Sequence, residues 1–270
     1  MVTSAEPSNL VEVSETTYPV AAVAWLVGTD QKSVLEIGAG DGALTGQLVA
    51  LGHDVHATDS SAAAVERLAE LHPGVRTSAA TAERLPNLDA SVDVVVARNF
   101  HTYDEEAALT EFSRVLRPGG HVAVVIETLD TKIPWVRKFA RLLGDETAAP
   151  ETPDSIVQST KFGFVDADSF RHWTTVHRDG LCALALLDPR VATMDAAAKE
   201  RLLDDVRALY DDYGRGPDGM QLPQIAHCFR AGVIEHPWSV PPRDGADGEA
   251  DPAQPAGEHD DDDGLLIDFR

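Results

Sequence analysis

The stretch Val34-Leu35-Glu36-Ile37-Gly38-Ala39-Gly40-Asp41-Gly42-Ala43 decides the fold. A short apolar strand runs into three alternating glycines, and a helical pattern begins at Ala43. Glycine suits such a turn because it adopts positive φ and lets the backbone approach a ligand closely. The helix that follows offers free N–H groups and the positive end of its dipole. The stretch therefore predicts a nucleotide-binding loop on an α/β sheet.

The loop alone fits more than one nucleotide cofactor. The spacing Gly38-x-Gly40-x-x-Ala43 meets the relaxed dinucleotide fingerprint of NAD enzymes, and Asp59 follows about twenty residues later, after a second strand. An acid at that strand end can accept both ribose hydroxyls of a nucleoside. Its alternative role is to cap the next helix, although Ser60 or Ser61 could cap it equally well.

Segments further along the chain resemble the class I S-adenosylmethionine-dependent methyltransferases. The first motif of that family is an acidic residue followed by G-x-G-x-G, and a later segment is close to G-D-A-E-x-L-P. The chain matches these two motifs at Glu36, Gly38, Gly40, Gly42, Ala82, Glu83, Leu85 and Pro86. A third matching element is R-V-L-R-P-G-G at residues 114–120, and the resemblance covers about residues 18–235. It implies S-adenosyl-L-methionine as the cofactor, because NAD enzymes have no reason to carry the later segments.

The resemblance also implies which residues contact the cofactor. These are Glu36, Gly38, Ala39 and Gly40 in the loop, Asp59 and Ser60 after the second strand, Thr81, Ala82 and Glu83 after the third, and Arg98 after the fourth. Thr81 departs from the family, which has an aspartate there against the adenine amino group. A hydroxyl can accept one hydrogen bond from that amine, but more weakly than a carboxylate.

The fourth strand, an apolar run over residues 92–97, leads to the predicted acceptor side of the site. Residues 92–101 and 133–136 resemble a bacterial branch of small-molecule methyltransferases. That branch usually reads A-F-H-W-F-D where this chain has residues 99–104, and P-Y-x-T near its last strand. Here Thr102 replaces the aromatic residue after His101, and the later motif reads Pro223-Gln224-Ile225-Ala226. Both departures fall where substrate would bind.

Few residues are candidates for catalysis. Transfer from a sulfonium needs approach geometry and, for a protonated nucleophile, a base. His101 is the candidate base because histidine titrates near neutral pH, or else it is a packed or cofactor-contacting side chain. Tyr103 and Trp135 are candidate substrate contacts. Arg98 could instead meet a substrate carboxylate or pair with Asp93 or Glu105.

Composition limits the class of protein. The chain has 270 residues and a formal charge of -23, with 43% hydrophobic and 25% charged residues, as in soluble globular proteins. No apolar run is long enough for a membrane span, and no signal pattern opens the chain. The two cysteines do not make a disulfide framework, which fits a cytoplasmic protein. No cysteine–histidine cluster has zinc spacing, and His53 and His56 point to opposite faces of a strand, so no metal is expected.

The acidic charge is uneven along the chain. Residues 239–270 read as a disordered acidic tail, and residues 1–17 as a flexible N-terminus. The segment 244–270 has ten acids and one arginine, so it carries -9 of the total and leaves -14 for the rest. With that charge and no basic stripe, nucleic acid is a poor substrate.

The second half of the chain predicts additions to the sheet. Residues 162–165 and 170–176 read as strand pieces, 180–187 and 195–213 as helices, and 225–234 as the last strand. His172, Trp173 and His177 fit the lining of a lid and an amphipathic strand equally well. The expected fold is therefore a Rossmann-like, seven-stranded, mostly parallel sheet with helices on both faces. A helical cap over about 180–216 precedes the last strand of a domain spanning 18–238.

These observations predict a methyltransferase that uses S-adenosyl-L-methionine and acts on a small molecule, with oxygen as the favoured attacked atom. No membrane partner is expected. Two other functions remain open: a non-methylating biosynthetic step on the same fold, or a protein that senses the cofactor and binds a partner.

Overall fold

The computed structural model describes residues 18–144, 150, 152–214 and 218–234. The strands are β1 (Ser33–Ile37), β2 (Asp54–Asp59), β3 (Arg76–Ala79), β4 (Val92–Arg98), β5 (Leu116–Leu129), β6 (Phe162–Val176) and β7 (Met220–Val233). The helices are α1 (Val20–Val27), α2 (Ala43–Ala50), α3 (Ala62–Leu71), α4 (Glu105–Val115), α5 (Pro134–Leu142), α6 (Asp154–Gln158), α7 (Arg178–Leu187), α8 (Pro189–Ala192) and α9 (Ala196–Tyr213). The expected N-terminal segment 1–17 and the acidic tail 239–270 lie outside the described residues.

Within the described ranges, seven strands form one sheet in the order β3-β2-β1-β4-β5-β7-β6. The first five strands are mutually parallel, β7 runs antiparallel to β5, and β6 runs antiparallel to β7. This arrangement confirms the predicted mostly parallel Rossmann-like sheet. The strand order reverses between β1 and β4, and such a reversal opens a crevice at the carboxyl ends of the strands.

Helices cover both faces of the sheet. On the first face, Ala22 and Leu26 of α1, Leu44 of α2 and Leu68 of α3 pack against alternate strand residues such as Val34. On the second face, helices α4 and α6 pack against the intervening residues, in a cluster that includes Leu35, Val95, Ala97, Ala108, Phe112 and Ile156. Burial on both faces explains why β4 reads as an apolar run.

The helical cap, which we define as α7, α8 and α9, lies between β6 and β7 in the chain, as predicted. Its apolar side packs on α5 and on the ends of β5, β6 and β7. This third cluster includes Val136, Phe139, Val176, Leu181, Val206, Leu209 and Leu222. Because β5 and β6 end at the carboxyl edge of the parallel strands, the cap lies at that edge too.

Some element boundaries differ from the sequence-based prediction. β6 is one strand of 15 residues, although its polar middle was expected to be a break. β6 is the edge strand of the sheet, beside β7. An edge strand faces solvent, so polar residues in its middle do not interrupt it. β7 begins at Met220 instead of residue 225, because its first residues pair with the end of β6. Helix α5 was not predicted, although Pro134 occupies its favoured first position.

No helix in the described part of the chain is long and apolar enough to span a bilayer. Cys182 and Cys228 are both buried and free. Burial raises the pKa of the Cys228 thiol to about 12, so this thiol is unreactive at neutral pH.

Candidate functional site

Left-handed backbone shapes the glycine loop between β1 and α2. Gly38, Gly40 and Gly42 have φ values of 70°, 58° and 84°. A Cβ atom at Gly38 would lie 2.7 Å from the hydroxyl oxygen of Tyr103, closer than real side chains approach. Gly42 is the N-cap of α2, so the loop ends directly at the amino end of that helix. The sequence therefore needs glycine here both for φ and for space.

A cavity of about 260 Å³ opens beside this loop. Its walls come from the segments that follow β1, β2, β3 and β4, which is the edge predicted to bind the ligand. The lining residues are Ile37, Gly38, Ser60, Ala80, Thr81, Ala82, Glu83, Thr102 and Tyr103. The structure thus brings together six of the residues singled out from the sequence. A larger cavity of about 410 Å³, lined by residues of α4 and of 155–161, contains none of them.

Asp59, at the end of β2, is tied to the glycine loop. One carboxylate oxygen accepts the N–H of Gly40 at 3.0 Å, and the other accepts the N–H of Ser61 at 2.8 Å. The cap of α3 is Ser61, whose hydroxyl accepts the N–H of Ala64. Asp59 is therefore not the helix cap and lies where β2 meets the loop. The side chain of Ala39 is buried in the first face, so only its backbone can face a ligand.

Thr81, Ala82 and Glu83 form a tight segment after β3. The carboxylate of Glu83 accepts the N–H of Asp104 at 3.1 Å, which links this segment to the start of α4. Partial burial opposes ionisation of Glu83, but hydrogen bonds from its own amide, from the Thr81 hydroxyl and from Asp104 outweigh burial and lower its pKa. The Thr81 hydroxyl oxygen keeps lone pairs that can accept a bond from another donor. Asp104 caps α4, since its carboxylate accepts the N–H of Ala107 at 3.1 Å.

Arg114, in the R-V-L-R-P-G-G element, holds the end of this segment. Its guanidinium donates to Glu111 and Asp89 at 2.7 Å, and to the carbonyl oxygens of Leu85 and Asn87 at 3.3 and 2.9 Å. Glu111 in turn accepts the N–H of Leu85 at 3.0 Å. Arg114 therefore holds residues 85–89, which follow the cavity-lining segment Thr81–Glu83, although it lies far from them in the sequence.

Glu36 is completely buried beneath the glycine loop. One carboxylate oxygen accepts the hydroxyl of Thr45 at 2.6 Å, and the other has no hydrogen-bond partner among the described residues. Burial raises the pKa of Glu36 to about 7, although the Thr45 hydrogen bond opposes the shift. An unpartnered buried carboxylate oxygen can accept a bond from a cationic ligand group.

Arg98, at the end of β4, points toward the same loop. Its Nη1 lies 3.7 Å from Asp41 Oδ1 and 3.8 Å from the position of a Cβ at Gly40, while Nε has no described partner. The suggested ion pair of Arg98 with Asp93 is wrong. Asp93 accepts Arg117 at 2.8 Å and the N–H of Ser33 at 2.8 Å, because it faces the opposite end of β4.

Comparisons with known proteins agree with this geometry. A family model for a methyltransferase domain matches residues 34–120. An uncharacterized methyltransferase of Mycobacterium tuberculosis is 32% identical over 217 residues, which are 79% of this chain and 88% of that protein. The chain belongs to the class I S-adenosylmethionine-dependent methyltransferase family. The NAD interpretation of the glycine loop is thereby set aside.

Two further similarities bear on the methyltransferase. A solved structure of a candidate type II methyltransferase from Anaeromyxobacter dehalogenans shares its fold with a TM-score of 0.59 and 24% identity, covering 80% of this chain and 97% of that one. The ubiquinone biosynthesis O-methyltransferase of Cupriavidus pinatubonensis is 35% identical over 107 residues, 37% of this chain and 43% of that protein.

In the methyltransferase, a residue that sequence analysis did not single out lies near Arg98, namely Tyr18. It precedes α1 and is buried, with its ring 5.9 Å from the guanidinium carbon of Arg98 and 6.0 Å from the ring of His172. Burial raises the pKa of its hydroxyl to about 12, although the nearby Arg98 guanidinium opposes the shift. In the sequence Tyr18 stands only at the start of an apolar helical pattern. Such a pattern indicates burial and not a ligand contact.

His101 lies on the exposed 3₁₀ helix Phe100–Thr102, which follows Asn99 in left-handed conformation. Phe100 is buried in the second face, so the turn directs His101 outward, beside the cavity-lining Thr102. Its role as a base stays a prediction. Trp135 is half-buried on α5, where it packs against the cap cluster.

In the described part of the methyltransferase, no group of three or more His, Cys, Asp or Glu side chains is arranged to hold a metal ion. His56 lies 2.9 Å from the Ser78 hydroxyl, and burial lowers its pKa. His56 is therefore a neutral side chain whose hydrogen bond joins β2 to β3.

Proposed function

We propose that this methyltransferase binds S-adenosyl-L-methionine and transfers its methyl group to an oxygen atom of a small molecule. The observation that carries the proposal is the cavity beside the glycine loop, whose walls include Gly38, Ser60 and Thr81–Glu83. Asp59 is fixed to the loop next to this cavity.

The residues present fit the two ends of that cofactor. Thr81 and Glu83 offer oxygen acceptors for the adenine amino group, and Asp59 offers a carboxylate to the ribose hydroxyls. At the other end, the free oxygen of Glu36 suits an ammonium group and the free Nε of Arg98 suits a carboxylate. These two unpartnered atoms belong to groups of opposite charge and match the amino-acid portion of the cofactor, because buried polar atoms are normally hydrogen-bonded.

When bound, the cofactor supplies a methyl group on a positively charged sulfur, which is a good leaving group. The chain's own residues then need only to orient the acceptor and exclude water. The cap of α7, α8 and α9 lies at the carboxyl edge of the sheet, which supports this second role. Tyr18 packs on the first face of the sheet near Arg98, and Trp135 packs against the cap, so both are candidate walls for the acceptor.

A small acceptor is favoured by charge. Outside segment 244–270 the chain still carries -14, which opposes binding of a polyanion such as nucleic acid. Oxygen as the attacked atom is supported by the name of the similar O-methyltransferase, over the 37% of this chain that the two share.

The experiment is an acceptor screen with methyl-labelled S-adenosylmethionine. The protein is incubated with phenols, catechols, carboxylic acids and amines, and in parallel with RNA and with a mixed protein substrate. We expect S-adenosylhomocysteine to accumulate only with small acceptors and the label to appear on oxygen. Label on RNA or protein would contradict the small-molecule assignment, and label on nitrogen or carbon would contradict the oxygen assignment.

A further inference from the structure

A second polar pair lies on the sheet beside Tyr18, outside the cavity described above. His172 on β6 and Glu127 on β5 approach each other, with Nε2 and Oε1 2.8 Å apart. His172 is only 6% exposed. Neither ring nitrogen of His172, nor Glu127 Oε1, has a partner with good hydrogen-bond geometry among the described residues. Buried polar groups are normally hydrogen-bonded, so this pair has capacity for a ligand.

The residues of β7 that lie between Glu127 and His172 leave room for these two side chains to meet. Strand β7 separates β5 from β6, with Ala226 opposite Glu127 and Gln224 opposite His172. Ala226 contributes only a methyl group, and Gln224 is turned toward Thr174, whose hydroxyl donates to it at 2.7 Å. The branch that the sequence resembles usually has threonine and tyrosine at these two positions. Their replacement in this chain opens the space in which the pair meets.

The pair also borders the predicted cofactor residues. The ring of Tyr18 lies 6.0 Å from the ring of His172 on one side and 5.9 Å from the Arg98 guanidinium carbon on the other. Arg98 is opposite Val125 of β5, so Glu127 is two residues further along the same face of that strand. At about 3.3 Å per residue, this places Glu127 beyond the sheet edge defined by Arg98, toward the cap.

The charged groups around the pair are mixed. Arg98 and Glu36 face Tyr18 from β4 and β1, and Glu127 lies within electrostatic range of both Tyr18 and Arg98. Asp130 is 3.2 Å from Arg171 and is therefore already neutralised. Glu127 is thus the carboxylate closest to His172, and it is placed to orient the ring.

We propose that His172 is the general base of the methyl transfer and that Glu127 is its positioning residue. This inference rests on the proposed function. The proton of the acceptor hydroxyl moves to Nδ1 of His172 while an oxygen electron pair forms the bond to the methyl carbon. The electron pair of the broken C–S bond stays on sulfur, and the imidazolium returns its proton to solvent. Unlike the exposed His101, His172 is buried and has a carboxylate partner, the arrangement that orients catalytic histidines.

The test is ¹⁵N NMR of the histidine rings in the full-length protein with S-adenosylhomocysteine bound. The resonances of His172 are assigned from their loss in His172→Gln. Phenol is added as a protic probe, and anisole, its methyl ether, as a matched probe without the proton. We expect phenol to shift Nδ1 of His172 and anisole to leave it unchanged, in the wild type and in His101→Gln alike.

Two variants test the role of Glu127. Glu127→Gln keeps the shape of the side chain but removes the charge, and Ala226→Val fills the space between the pair, with Ala226→Ser as the small control. The first two should redistribute the proton between Nδ1 and Nε2 of His172, whereas Ala226→Ser should not. All three should still bind S-adenosylhomocysteine, which shows that the fold and cofactor site are intact.

Kinetics give an independent readout. For a phenol that the enzyme methylates, His172→Gln should lower kcat by about 10²–10⁴-fold. The remaining rate of the variant should rise with pH as the phenol ionises in solution. A carboxylate acceptor, already ionised, should be affected little.

Equal responses to phenol and anisole, or no response of His172 to phenol, would overturn the proposal while leaving the proposed function standing. The same holds if only His101→Gln abolishes turnover. Failure of the wild type to bind S-adenosylhomocysteine would instead overturn the proposed function, and the role of His172 with it.

Discussion

The side-chain amide of Gln47 binds both backbone polar groups of Tyr18. The N–H of Tyr18 donates to Gln47 Oε1 at 3.0 Å, and Gln47 Nε2 donates to the carbonyl oxygen of Tyr18 at 2.6 Å. Gln47 belongs to α2, the helix that begins at the glycine loop. The loop and the residue that covers Arg98 are therefore held by the same helix.

Replacing Gln47 by Leu should loosen Tyr18 without altering the loop. Both bonds are lost and two backbone groups are left partly unsatisfied, so we expect a loss of about 2 kcal/mol in unfolding free energy. S-adenosylhomocysteine should bind several-fold more weakly, because Arg98 loses its cover. Urea unfolding and calorimetry measure the two effects. An unchanged affinity together with reduced stability would show that Tyr18 plays no part in the cofactor site.

Gly38→Ala should weaken cofactor binding by more than the strain of an alanine in left-handed backbone would cause alone. The matched control is Gly119→Ala, since Gly119 has φ 77° but open space around its Cβ position. Both variants incur strain of about 1–2 kcal/mol, but only at Gly38 does the new methyl collide with the Tyr103 hydroxyl. We expect Gly38→Ala to abolish cofactor binding and Gly119→Ala to retain it. Tyr103→Phe in the Gly38→Ala background should restore part of the lost stability. Equal losses in the two alanine variants would contradict this account.

Asp59→Ala should remove most of the cofactor affinity. Hydrogen bonds to a charged group are worth about 1.5–3 kcal/mol, so we expect the Kd for S-adenosylhomocysteine to rise by roughly 100-fold or more. Asp54→Ala is the control, because Asp54 begins the same strand but only pairs with exposed Arg76. Calorimetric titration compares the two. If Asp59→Ala binds as the wild type does, its assignment to the ribose is wrong.

Glu36 should make the protein less stable as the pH rises through neutrality. Burial raises its pKa from 4.5 to about 7 in the folded state, so the native protein binds more protons than the unfolded chain between those values. Stability must therefore fall from about pH 4.5 to pH 7 and then stay level. The effect is on the order of 3 kcal/mol and should be absent in Glu36→Gln.

Urea unfolding of the two proteins at pH 5 and pH 8 measures this difference. The wild type should lose more unfolding free energy than Glu36→Gln over that interval. S-adenosylhomocysteine affinity should rise over the same interval in the wild type only, because the ionised carboxylate can then accept its ammonium group. Parallel pH profiles for both proteins would show that burial does not raise the pKa of Glu36 and would contradict this account of the pH dependence.

The parts of the site that could be predicted are those in which neighbouring residues in the chain act together. The glycine loop, Asp59 at a strand end and the segment Thr81–Glu83 each lie within one turn, so their spacing carries the information. The same is true of the cap, since the apolar stripe of α9 is visible in the sequence.

The contacts that could not be predicted depend on how strands and helices distant in the chain are aligned with one another. Gln47 meets Tyr18 across 29 residues. His172 meets Glu127 only because β7 places Ala226 between them, and no local pattern sets that register. In the sequence His172 fits an amphipathic strand equally well. The exposed position of His101 follows from the left-handed turn at Asn99, which sequence alone does not specify.

The most direct test of the central claim is calorimetric titration of the full-length protein with S-adenosylmethionine, S-adenosylhomocysteine and NAD in parallel. We predict micromolar binding of the two sulfur nucleosides, loss of both in Asp59→Ala, and no heat from NAD. Binding of NAD alone, or of none of the three, would contradict the assignment of this cavity to S-adenosylmethionine.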